Sequence, residues 1–121
     1  MSRYRYLNVE PNEERLQDCV IRAITLALAM NYDDIVEALA QNGTDMTCDS
    51  INVDCYSNLI ENLGYYTRHV KDLTVGDIAD MFKDKVLIIR MRGHLTSAID
   101  GCIFDTWDCR EKEATCFWII H

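Results

Sequence analysis

Three residues far apart in the chain have side chains that could work together as a nucleophilic centre: Cys19, His94 and Asp105. A thiol attacks a carbonyl only as thiolate, so it needs a base and an environment that favours the anion. Asp18 is a good N-cap, and Val20, Ala23, Ile24, Ala27 and Leu28 recur at helical spacing, which predicts a helix over residues 18–30 with Cys19 in its first turn. A helix N-terminus favours a thiolate, and the unpaired N–H of Cys19 is aimed where an oxyanion would form. The Asp18 carboxylate opposes this unless its capping bonds turn it away.

The base comes from the other half of the chain. Asp100-Gly101 lies between two strand-like runs and predicts a two-residue hairpin turn. Ile99 then faces Cys102, Ser97 faces Phe104, Thr96 faces Asp105 and His94 faces Trp107. With side chains alternating, His94, Thr96, Asp105 and Trp107 share one face of the sheet, with His94 and Asp105 as diagonal neighbours. Asp105 orients the imidazole, and Trp107 shields their bond from water. The chemistry expected of such a triad is acyl transfer on an amide or ester.

The elements that must position these groups divide the chain in two. After the first helix, Asp33 or Asp34 starts a second with Ile35, Val36, Leu39 and Ala40 on one face, ending near Asn42-Gly43. Asp49 or Ser50 starts a third that Gly64 stops, and residues 74–82 read as a fourth. From Lys85 the period changes: residues 85–91, 95–99, 102–107 and 115–120 are strand-like, with residues 65–70 as an edge. Helices first and strands after give an α+β fold with N-terminal helices packed on a C-terminal antiparallel sheet, one domain over residues 1–121.

Asp105-Thr106-Trp107 resembles the Asn-Ser-Trp stretch that follows the histidine of papain-like cysteine peptidases, with Asp in place of Asn. The run from Asp18 to Ile24, together with Gly93-His94 and the Asp100-Gly101 hairpin, also resembles a group of short phage and prophage proteins. The resemblance implies a small papain-like fold and a Cys19–His94–Asp105 triad acting as a peptidase or amide hydrolase on a peptide or protein, without a cofactor. Where that superfamily carries its oxyanion glutamine, six residues before the nucleophile, this chain has Glu13. Asn12 and Gln17 are the nearby amides, and Asn12 is favoured because Gln17 is close to the helix start. The same fold without activity would make a binding protein, such as a phage-encoded inhibitor of a host protein.

Composition narrows the partners. The chain has 121 residues, 20 acidic against 12 basic, and a net charge of −8, which disfavours nucleic acid and suits a monomer. That surface charge favours a basic or neutral substrate. No stretch approaches a membrane span, and the polar start carries no signal-like apolar segment, so a cytoplasmic protein is expected, in the host cell if phage-encoded. The six cysteines are read as reduced thiols, mostly packing. No C-x-x-C pair occurs, so no metal is assigned, and a zinc module of Cys102, Cys109 and Cys116 with His121 is the rival. Arg22 either braces the helix through Asp18 or binds a substrate carboxylate, with bracing preferred. His69 and His121 read as surface groups.

Overall fold

The structure, a computed structural model, describes residues 2–9, 18–49 and 52–121. Its order is β1 (Arg3–Tyr6), α1 (Cys19–Leu28), α2 (Tyr32–Met46), α3 (Val53–Asn62), β2 (Arg68–His69), α4 (Val75–Met81), β3 (Val86–Met91), β4 (His94–Ile99), β5 (Cys102–Asp105) and β6 (Ala114–Ile119). Among the described residues, four helices and a six-stranded sheet of order β1-β5-β4-β3-β6-β2 make an α+β fold. No helix among the described residues is long and apolar enough to cross a membrane.

The hairpin forms in the expected register, with Ile99 opposite Cys102 and Ser97 opposite Phe104. Asp100 and Gly101 both have positive φ, 52° and 75°, as a turn matched to strand twist demands. The sheet is mixed rather than antiparallel, because β1 pairs parallel to β5, with Tyr6 beside Asp105. The Arg-Tyr-Arg-Tyr run, polar and aromatic and assigned to no element from sequence, supplies backbone partners to an otherwise bare edge.

Alternation along β3 divides the interior. Ile88 packs with Ile24, Ile35, Ile60, Leu95 and Trp118 beneath the first three helices. Leu87 and Ile89 pack on the other face with Val75 and Ile78 of α4. Thr74 caps α4 through a reciprocal pair of bonds with Asp77.

Three boundaries differ from the sequence reading. α2 runs through Asn42-Gly43 to Met46, because the buried Asn42 amide donates to the Cys55 carbonyl (2.7 Å) and Thr47 takes the left-handed capping position. α3 starts at Val53 with Asn52 as its cap, not at Asp49 or Ser50; Ser50 itself lies outside the described residues. β5 stops at Asp105, so Trp107 follows the strand instead of pairing within it. The thiols are not all reduced either: Cys48, just past α2, is disulfide-bonded to Cys55 on α3. That bond ties the two helices across a span that spacing alone left unpaired.

Candidate active site

Cys19 occupies the first turn of α1, and β4 runs beneath that helix from His94 onward. Asp18 precedes the helix without capping it through its side chain. Its fully buried carboxylate instead pairs with Arg22, one turn on, and accepts the Tyr32 hydroxyl (2.8 Å). The anion feared beside the thiol is therefore held by Arg22 and Tyr32, on bonds other than capping bonds. Arg22 braces as expected, and its second arm reaches Asp105 Oδ1 and Thr106 Oγ1, both at 3.5 Å.

Asp105 is fixed on every side. Oδ2 meets His94 Nε2 at 2.7 Å, while Oδ1 accepts the Thr106 N–H at 2.7 Å. That last bond turns the chain out of β5 and swings Trp107 back over the histidine, their ring centroids 5.0 Å apart. Trp107 thus covers the imidazole from a bend rather than from a facing strand position. Because Nε2 is engaged by Asp105, Nδ1 is the nitrogen left for the thiol.

The electrostatics follow from this packing. Burial alone would push the Cys19 thiol up, but hydrogen bonding from His94 and the Leu95 N–H, with the charges of His94 and Arg22, outweighs it and lowers the pKa. Burial would likewise favour neutral His94, yet the bonds to Asp105 and Cys19 raise it to about 9. For Asp105, burial acts upward and is overcome by His94 and the Thr106 N–H, so its carboxyl titrates below the ordinary range. These shifts all act in the direction of a thiolate–imidazolium pair.

Cys19 and His94 line a cleft of about 720 Å³ together with Asn52, the cap of α3, Val53 and Tyr56 of α3 and Arg90 of β3, while Asp105 stands behind His94. Cys19, His94 and Asp105 are thus brought together with Trp107, whereas Asn12, Glu13 and Gln17 lie outside the described residues. His69 and His121 are exposed. Reasoning from sequence missed Arg90, a single charge in the apolar run Val86–Met91, and that interruption was the available signal. It also missed Tyr56, which shows only the ordinary helical spacing of a core residue.

A second cysteine lies behind the triad. Cys109 Sγ is 3.9 Å from Asp105 Oδ2, and its thiol, buried beside that carboxylate, is pushed up to about 12. His94, Asp105 and Cys109 offer ligand atoms within 4.8 Å of one another. A cation held by all three would compete with the 2.7 Å bond between His94 and Asp105. The rival zinc set does not assemble: Cys116 packs in the core beneath α1, Cys109 in the core on the opposite face, and His121 is exposed. No protein-family model, no curated protein and no solved structure matches this chain.

Proposed function

We propose that this protein is a papain-like cysteine hydrolase, a peptidase or amidase that transfers an acyl group through Cys19. The observation that carries the reading is the 2.7 Å bond from His94 Nε2 to Asp105, which leaves Nδ1 for a thiol at a helix N-terminus on the edge of a cleft. In the cycle, the Cys19 thiolate attacks the carbonyl carbon and the C–N bond breaks as the His94 proton passes to the leaving amine. Water then gives one proton to His94 and its hydroxide to the thioester carbon, and the C–S bond breaks to release the carboxylic acid and leave the Cys19 thiolate beside protonated His94. Asp105 holds the imidazole orientation, and the Cys19 N–H, one of the helix's first donors without an intrahelical acceptor, faces the oxyanion. The second donor is assigned to Asn12 or Gln17.

The reading takes a peptide or protein as acyl donor, a monomer as the working form, and a cytoplasm, the host's for a phage protein, as the setting. An inactive binding protein on the same fold would need no reactive thiol; half-buried Cys19 beside His94 favours the enzyme.

The test is the pH dependence of iodoacetamide alkylation at each free cysteine, read by mass spectrometry, in the native protein and in His94→Ala. Fast reaction at Cys19 near pH 6 that disappears in the variant is the expected result. An ordinary thiol profile at Cys19 would sink the proposal and leave the binding protein.

A further inference from the structure

The cleft differs from the rest of the protein in charge. The chain carries 20 acidic residues, yet none of the described residues lining the cleft is Asp or Glu, and its ionisable members other than Cys19 and Tyr56 are Arg22, Arg90 and His94. Two of those cations are already matched, Arg22 by Asp18 and Asp105, and His94 by Asp105. Arg90 is different. Among the described residues it pairs with no carboxylate: its Nη1 donates to Thr115 Oγ1 (2.8 Å), and that hydroxyl donates back to the Arg90 carbonyl (3.2 Å). Its other neighbour of note is the Tyr56 hydroxyl.

On its other side Arg90 borders a groove that includes Asp54 and Glu61, but neither makes an ion pair with it, and a half-buried guanidinium whose direct partners are neutral costs desolvation that an anion in contact offsets. Here the group is anchored through Thr115 and faces a cleft that also holds a nucleophile. Resting on the acyl-transfer reading above, we propose that Arg90 binds a carboxylate of the substrate, so that the favoured acyl donor is a peptide with an acidic residue close to the scissile bond. The net acidity of the whole surface, which by itself favours a basic or neutral substrate, is the wrong guide at this site. A carboxylate fits better than a phosphate: one unmatched guanidinium supplies one charge and a planar fork, whereas a phosphate dianion calls for a second free cation that the cleft's matched Arg22 does not provide.

The experiment uses peptidyl acyloxymethyl ketones that label a reactive cysteine, made in pairs with Glu or Gln at each of the two positions next to the reactive group. Labelling rates at Cys19 are read by mass spectrometry in the native protein, Arg90→Gln, Arg90→Lys and Thr115→Val. The native protein should prefer Glu over Gln at one position by about tenfold, as loss of a charged hydrogen-bond partner implies. The preference should collapse towards unity in Arg90→Gln and persist in part in Arg90→Lys. Should Arg90→Gln fail to fold by circular dichroism, Thr115→Val keeps the charge but frees the guanidinium, and the preference should fall severalfold. Equal rates for Glu and Gln in the native protein, or an undiminished preference in Arg90→Gln, overturn the assignment. The iodoacetamide profile separates the two failures: an ordinary profile at Cys19 removes the acyl-transfer reading and this one with it, whereas a His94-dependent profile without Glu preference removes only the role of Arg90.

Discussion

Removing the thiol should expose the proton that Asp105 holds on His94, through the pH dependence of stability. In the native protein His94 titrates at about 9, against about 6.5 for an ordinary histidine, a difference equivalent to on the order of 3 kcal/mol. The sign follows from proton counting. A histidine whose folded pKa is raised contributes its stability in full below the unfolded value, and loses it as pH rises through the folded value. Cys19 acts oppositely: its folded pKa is lowered, so it contributes above the unfolded thiol value and loses that contribution as pH falls. The two contributions oppose each other, so native stability varies less with pH than His94 alone would make it vary. In Cys19→Ser the compensation is gone. Urea unfolding of that variant should show stability falling by about 1–3 kcal/mol between pH 6.5 and 9, the lower bound allowing for the lost thiolate. Adding Asp105→Asn should flatten the profile, since burial alone lowers a histidine pKa. A flat profile in Cys19→Ser, unchanged by Asp105→Asn, would refute the claim that Asp105 holds an imidazolium.

Further outcomes test the surrounding packing. Arg22→Met strands the fully buried Asp18 carboxylate and should cost about 3–5 kcal/mol in urea unfolding, while Arg22→Met with Asp18→Leu should recover much of that loss; a loss under about 1 kcal/mol for the single change would contradict the pairing. Trp107 is 39% exposed, so Trp107→Ala should leave the thermal midpoint nearly unchanged while wetting the His94–Asp105 bond and lowering the His94 pKa by NMR titration. Cys48→Ser opens the disulfide to Cys55 and should cost about 2 kcal/mol relative to the oxidised native protein, with no change when both are compared under reductant.

What was legible in the sequence was local. The apolar spacing from Cys19 to Leu28 and the Asp100-Gly101 turn are short-range signals, so α1 and the β4–β5 register follow from neighbouring residues alone. From that register alone, Thr96 and Asp105 had to be opposite one another and His94 close by, because side chains alternate along paired strands. The other half of the site was decided in three dimensions. Nothing local says that the Asp18 carboxylate will turn away from its cap to Arg22 and Tyr32, since Tyr32 approaches only when α2 packs on α1. Nor does spacing say that Arg3–Tyr6 will add to the far edge of the hairpin, or that Cys48 will meet Cys55, because both depend on where the chain returns. Arg90 reads as a stray charge in a buried strand until α3 is placed beside it and the space between them becomes a cleft. Propensity and alternation act over a few residues, whereas matching a buried charge requires groups from separate elements, and only the tertiary packing selects which ones meet.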